Sequence, residues 1–301
     1  MYFCLSIRSS MNNSYIIATD STADMYFGYY EANPTIRLPF PFSIAGKDYD
    51  GTIEELPIMD FYELLGQGNL IKTSQINQFK ATAVFEDILS KGLDILYICF
   101  SSGMSGSFDN ISTVVTSLKK KYPERRIEIV DTLSGGGGEG IMVCQAKKMQ
   151  AADKSIDEIV AWIEANKQFM HHIFIVDDIR NIKNSGRISA IAALIGILVH
   201  LKPVLEINNE GKVTLMAKGI GRKKAIQAML KCFEENYEAD KNEFIMIGHS
   251  GEMAEAEKLG EKIKLLAPGK EIKYSFINYL VAGHSGYNAL VIYFFGKPRK
   301  K

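Results

Sequence analysis

The sequence predicts an α/β protein of two lobes, each a largely parallel sheet packed with helices. Three observations carry this. Short runs rich in branched and aromatic residues alternate with helix-period patterns through nearly all of the chain. One of them, Asp94 to Phe100, is continuously apolar after its first residue, as a strand covered on both faces must be. The chain of 301 residues is also long enough for about two domains with cores of ordinary size.

Tyr15 to Thr19 reads as the first strand, closed by Asp20-Ser21-Thr22, residues that suit a helix N-cap. The buried strand at Asp94 leads through the Ser/Gly turn Ser101 to Ser107 into a helix ending near Lys121. Ile127 to Val130 is a third strand, followed by a glycine cluster and a helix from Gly140 to Ala152. Ser155-x-x-Glu158 is a capping box, and Ile156, Ile159, Val160 and Ile163 behind it form one apolar face. That helix is expected to close an N-terminal lobe, 14–170, and the strand Ile173 to Val176 to open a C-terminal lobe, 171–298. Ile188 to Leu201 reads as a helix with almost no polar face, yet it is far too short to cross a bilayer, so it must be buried in protein. Val204 to Asn208 and Val213 to Lys218 flank Asn209-Glu210-Gly211 as a hairpin. Phe244 to Gly248 and Ala289 to Phe295 are further strands, and Lys223 to Tyr237 and Met253 to Leu266 are helices. Residues 1–13 are expected to be a disordered leader.

Thirty-five Lys and Arg balance 35 Asp and Glu, so no net field attracts a polyanion and no nucleic-acid partner is expected. Cys4, Cys99, Cys144 and Cys232 are far apart and form no C-x-x-C, which suits a reducing cytoplasm. No run approaches the ~20 apolar residues of a membrane span, so membrane contact is expected to be transient at most. The histidines at 171, 172, 200, 249 and 284 have no H-x-x-x-H spacing, and no metal or cofactor is expected. His171 and His172, opening a strand, point to opposite faces and read as surface or cap residues. Gly135 to Gly140 contains a formal G-x-G-x-x-G, but no strand with a terminal acidic residue follows its helix.

More informative are hydroxyls gathered at turns. Thr73-Ser74-Gln75 precedes a helix from about Asn77, and Ser101-Ser-Gly-Met-Ser-Gly106 joins a buried strand to another helix. In an open parallel sheet such turns lie at the carboxyl ends of strands, where ligands bind, and free N–H groups at a helix start favour an anion. Helix capping alone also accounts for these residues.

Asp20-Ser-Thr-Ala-Asp24, Lys72-Thr-Ser-Gln75, Ser101 to Gly106, Asp131-Thr132, Ser185-Gly-Arg-Ile-Ser189, Lys202-Pro-Val-Leu205 and Gly283-His-Ser-Gly286 stand in the order found in the DegV family, which the chain resembles from about Tyr15 to Phe295. The resemblance implies two α/β lobes that enclose a long-chain fatty acid, its acyl chain in a tunnel and its carboxyl near an interlobe cleft. It also implies a non-catalytic subunit that presents the carboxyl to a separate ATP-using fatty acid kinase for acyl-phosphate formation. By that likeness Thr73, Ser102 and His284 hold the carboxylate, with Ser74, Ser105 and Arg187 as secondary candidates. Ala190, Ala193, Leu194 and Ile197 are candidates for the tunnel wall. Burying a saturated chain of roughly fourteen methylenes offers about 11 kcal/mol before ordering costs, so the tunnel dominates affinity and the hydroxyls fix orientation.

The chain departs from the family pattern at several points. Ile76-Asn77 stands where Pro-Ser is usual, Ser107-Phe108 replaces Thr-Tyr, Ser185-Gly186 replaces paired glycines, and Gly286-Tyr287-Asn288 replaces Gly-Pro-Gly. The bulk of Tyr287 bears on where His284 sits and on acyl length. Two other classes are open: a serine hydrolase using Ser102 or Ser285 with a histidine, and a nucleotide-binding regulator using Gly135 to Gly140.

Overall fold

The computed structural model describes residues 14–52, 55–179, 182, 186–187 and 201–300. The leader at 1–13, Ser185, and the helix read at Ile188 to Leu201 with its candidates Ala190, Ala193, Leu194 and Ile197 lie outside the described residues, except for Leu201.

The first sheet has the order β2-β1-β6-β7, built from β1 (Tyr15–Asp20), β2 (Ile36–Leu38), β6 (Asp94–Cys99) and β7 (Ile127–Asp131), and every pair in it is parallel. Strand β6 shows why its sequence is apolar throughout. Ile95, Tyr97 and Cys99 pack with helices α3 (Gln78–Ser90) and α4 (Ser107–Lys121), while Leu96 and Ile98 face the opposite cluster with α5 (Gly137–Ala151) and α6 (Ile156–Asn166). The capping box read at Ser155 and Glu158 is formed, and Asn77 caps α3 by accepting from the Lys80 N–H at 3.1 Å. Asp20-Ser21-Thr22 cap no helix, because the chain turns there instead, with Asp20 Oδ1 accepting from the Thr22 N–H.

The second sheet has six strands in the order β10-β9-β8-β13-β11-β12. These are β8 (Met170–Ile175), β9 (Leu201–Ile207), β10 (Val213–Ile220), β11 (Phe244–His249), β12 (Glu271–Phe276) and β13 (Leu290–Phe295). Here the expectation of a largely parallel sheet is corrected, because only β11 and β12 run parallel. The hairpin β9–β10 and the placement of β13 between β8 and β11 force antiparallel pairing. Helices α7 (Arg222–Asn236) and α8 (Met253–Leu266) cover its outer face through Ala225, Met229, Phe233, Leu259 and Ile263.

The inner face of the second sheet shares one apolar cluster with α5, α6 and the first sheet. This packing needs the glycines of α5. A Cβ on Gly137 would stand 2.3 Å from the Met246 methyl, and one on Gly138 would stand 2.0 Å from His172 Nε2. The helix therefore starts at Gly137, three residues earlier than its periodicity suggests. We keep the division at 170/171 as a proposal; the two sheets have separate outer cores and a common inner one.

Three pieces carry no strong pattern in the sequence: a small antiparallel sheet β4-β3-β5 (β3 Phe42–Ile44, β4 Lys47–Tyr49, β5 Lys72–Thr73), helix α2 (Ile58–Gly66) and helix α9 (Tyr279–Ser285). With the short α1 (Tyr29–Ala32) they complete the described elements apart from two 3₁₀ turns.

A buried carboxyl pair lies where β1 meets α5. Glu139 and Asp20 are both fully buried. Thr19 Oγ1 contacts the Ile98 carbonyl and Glu139 Oε1, and Thr22 Oγ1 contacts Glu139 Oε2 and Asp20 Oδ1. Two hydroxyls supply two of the four protons these contacts need, so at least one carboxyl is protonated. Burial, then the neighbouring Asp20, pushes Glu139 well above the ordinary carboxylate range, and desolvation pushes Asp24 up to about 8. A carboxyl raised in the folded state stabilises fully below its unfolded value near 4 and loses that stabilisation as pH rises toward its folded value. Stability measured by urea unfolding is therefore expected to fall between about pH 5 and 8 through these groups, with a shallower slope for Glu139→Gln, which keeps the shape without the charge. A Glu139→Gln slope equal to that of the parent protein refutes the assignment.

Candidate functional site

A cavity of about 320 Å³ opens between the two sheets, near the lower end of the ~300–1,000 Å³ typical of small-molecule sites. Its floor is one face of the second sheet. Alternation along β8 puts His172 and Phe174 on that face, and their cross-strand partners Tyr293 and Val291 lie beside them; Ile207 and Val213 extend it across the β9–β10 hairpin. Phe40 and Phe100 close the side toward the first sheet, and Leu280 and Val281 on α9 close the top.

The mouth is polar. Thr73, Ser74 and Gln75 leave β5 there, Ser105 and Gly106 come from the turn between β6 and α4, His284 comes from α9, and Arg187 completes the rim. Thr73 Oγ1 lies 3.2 Å from His284 Nε2, and Arg187 Nε donates to the Met104 carbonyl at 3.4 Å. The Gln75 amide lies across Gly106, where a Cβ would come within 2.4 Å of it, so the two loops are in contact. Asn278 fixes α9: its side chain accepts from Val281 N–H at its cap and donates to the Asp24 carboxyl at 3.0 Å.

Among the described lining residues Arg187 is the one formal charge, and no carboxylate lines the cavity. Desolvation, and secondarily Arg187, lowers His284 to about 4, so its ring is neutral at physiological pH. It stands there as a neutral hydrogen-bonding group, in contact with Thr73 Oγ1. The arrangement suits a ligand with one anionic end and a long apolar body.

Of the residues singled out from sequence, Thr73, Ser74, Ser105, Arg187 and His284 meet at this mouth. Ser102 does not. It is exposed, and its hydroxyl donates to Asp131 Oδ2 at 2.5 Å while its N–H faces Oδ1 of the same residue. Ser101 is also committed elsewhere, donating to the Gly211 carbonyl at the hairpin tip at 2.8 Å. Tyr287 is not among the cavity-lining residues; its ring lies 3.8 Å from a Cβ position at Gly66 on α2. His171 and His172 are corrected outright, since both are 2% exposed, His171 stacked on Phe294 and His172 edge-on to Tyr293.

The alternative chemistries fare poorly. Gly135 to Gly140 are all buried against Phe100, Tyr293, Met246, His172 and Asp24, which leaves no room for a nucleotide's phosphates. Among the described residues neither Ser102 nor Ser285 hydrogen-bonds a histidine, as a serine nucleophile requires. No group of three or more His, Cys, Asp or Glu among the described residues is placed to hold a metal ion, and no described helix is long and apolar enough to cross a membrane.

The profile of the DegV family, described as uncharacterised proteins, matches residues 14–297. The chain belongs to the DegV family. A DegV domain-containing protein of Clostridium perfringens is 35% identical over 287 residues, covering 95% of this chain and 99% of that one. Among solved structures, a DegV fatty-acid-binding protein from Bacillus subtilis matches with a TM-score of 0.80 and 26% identity, over 95% of this chain and 100% of that one. A stearic-acid-binding protein from Eubacterium ventriosum matches with a TM-score of 0.83 over 94% of this chain and 98% of that one; at 19% identity it speaks for the fold alone.

The polar lining was legible as hydroxyls at turns, but the floor was not. The alternation of β8 and β13 marks an inner face, yet nothing local distinguishes a face that packs on a helix from one that bounds a cavity.

Proposed function

We propose that this DegV-family protein is a non-catalytic carrier that binds one long-chain fatty acid and presents its carboxyl to a separate ATP-using kinase. The observation that carries the reading is the polarity of the cavity: an apolar interior between two sheets, and a mouth of hydroxyls, a neutral imidazole and one guanidinium with no carboxylate among the described lining residues. The acyl chain lies on Phe174, Ile207, Val213 and Val291, and the carboxylate meets Thr73, Ser105, His284 and Arg187. Ser105 takes the place that the family likeness gave to Ser102. The kinase step is supported by that likeness and by Arg187, which is exposed at the rim and suited to a carboxylate or an acyl-phosphate. A cytoplasmic location belongs to the same proposal, supported by four cysteines that are far apart in sequence and form no C-x-x-C.

Protein purified from a bacterial host is expected to release about one equivalent of fatty acid on solvent extraction. Thr73→Val combined with Ser105→Ala is expected to weaken retention by about tenfold or more, the loss of hydrogen bonds to a charged group. Delipidated protein that takes up no fatty acid ends the proposal; uptake without acyl-phosphate formation by any ATP-using partner removes its second half.

A further inference from the structure

The tetrapeptide Gly-His-Ser-Gly occurs twice, at 248–251 and at 283–286, and the fold brings the two copies together. The second copy carries His284 at the cavity mouth. The first, where β11 ends, places neither its histidine nor its serine among the described lining residues. Ser250 of that copy is fully buried and spends all its bonding capacity on the turn that follows α9. Its hydroxyl donates to the Gly286 carbonyl at 2.7 Å and accepts from the Ala289 N–H at 3.0 Å, so one oxygen ties the start of the turn to its end. Its backbone N–H donates to the Ala289 carbonyl at 3.1 Å, and its carbonyl accepts from the Asn288 N–H at 3.1 Å.

This turn needs holding. Residues 286–289 are Gly-Tyr-Asn-Ala, with no proline to fix φ, and both Gly286 (φ +86°) and Asn288 (φ +64°) stand in the left-handed region. A non-glycine residue keeps that conformation only where its surroundings impose it. Helix α9 is seven residues long, too short to be stable by itself, so its ends set its place. Asn278 fixes the first end through Val281 and Asp24. At the other end Gly286 N–H bonds the Ala282 carbonyl at 2.7 Å, and the carbonyl of the same Gly286 rests on Ser250. His284 lies two residues before Gly286, and its Nε2 must stay within reach of Thr73 Oγ1 for the two to meet one carboxylate.

We propose that Ser250 is a positioning residue for His284, acting on the carboxylate site through the 286–289 turn. The inference rests on the fatty-acid reading above and deepens it. Removing the hydroxyl leaves the buried Gly286 carbonyl and Ala289 N–H without that partner, and the turn relaxes to recover one, carrying the imidazole away from Thr73.

The test is a double-mutant cycle on the delipidated full-length protein, read as affinity for hexadecanoic acid. Ser250→Ala is expected to weaken binding by about fivefold, within the tenfold expected for His284→Gln, and the double variant to bind within about twofold of His284→Gln alone. A role in general stability would instead multiply the two losses to about fiftyfold. Asn242→Ala is the control: Asn242 fixes the far end of β13 through both the N–H and the carbonyl of Phe295, so the urea midpoint is expected to fall while affinity stays within about twofold. Should Ser250→Ala not fold, Ser250→Cys, which keeps a weak donor of similar size, carries the same cycle. Multiplied losses, or unchanged affinity in the Ser250 variant, overturn the inference and leave the carrier reading standing. Failure of the parent protein to bind hexadecanoic acid overturns both.

Discussion

Gly140→Ala is expected to destabilise the protein by about 3 kcal/mol or more, at the upper end of overpacking costs, because the atom it must displace is backbone. A Cβ at Gly140 would stand 1.8 Å from the carbonyl oxygen of Asp24 and 2.7 Å from its carbonyl carbon. That segment has little freedom to retreat: Asp24 N–H donates to the Gly136 carbonyl at 3.2 Å, and its carboxyl accepts from both the backbone and the side chain of Asn278. Asn278 caps α9, which carries His284, so displacement of Asp24 also disturbs the cavity mouth. Ligand retention is expected to fall together with the urea midpoint. Gly92→Ala is the control. Gly92 has φ +76° and no atom within 4 Å of its Cβ position, so only backbone strain of about 1–2 kcal/mol is expected there. Should Gly140→Ala cost no more than Gly92→Ala, the close approach of β1's turn to α5 is wrong.

His284→Asp is expected to lower fatty-acid affinity by about a thousandfold. Two carboxylates about 4 Å apart near a protein surface repel by about 4 kcal/mol, and each 1.4 kcal/mol is a factor of ten. The substitution places a negative charge in a cavity lined, among the described residues, by none, beside Thr73 and facing the proposed carboxylate. His284→Gln is expected to cost about tenfold, since a neutral hydrogen-bonding group is retained in place of a neutral imidazole. Titration of delipidated variants with a fluorescent fatty acid separates the two. Equal losses for Asp and Gln place the ligand's carboxylate elsewhere. Burial holds His284 low in the ligand-free protein and an opposite charge beside an imidazole raises it, so binding is also expected to tighten as pH falls from 7 toward 6, and this dependence is expected to vanish in His284→Gln.

Local patterns determined a good deal of this molecule. Continuous apolarity placed β6 in the middle of a covered sheet, the Ser155–Glu158 box started α6, and Asn209-Glu210-Gly211 turned the β9–β10 hairpin. Each of these rests on interactions within a few residues, which is why it can be read along the chain. Ser101, Ser102 and Ser105 show the limit. They occupy one turn and share one chemistry, yet one bonds the hairpin tip, one bonds Asp131, and one lines the cavity.

Their partners lie at separations of 110 and 29 residues, so the choice among them belongs to the packing. The same holds for Gly135 to Gly140, whose small size serves the approach of α5 to the second sheet, and for His171 and His172, which the sheet buries on opposite faces. The sequence by itself established most strands and helices of the two larger sheets, the α/β class and the residue types gathered at the cavity mouth. Only the tertiary structure decided the antiparallel second sheet, the cavity between the sheets and which hydroxyls face it, because these depend on distances between segments that no local periodicity encodes.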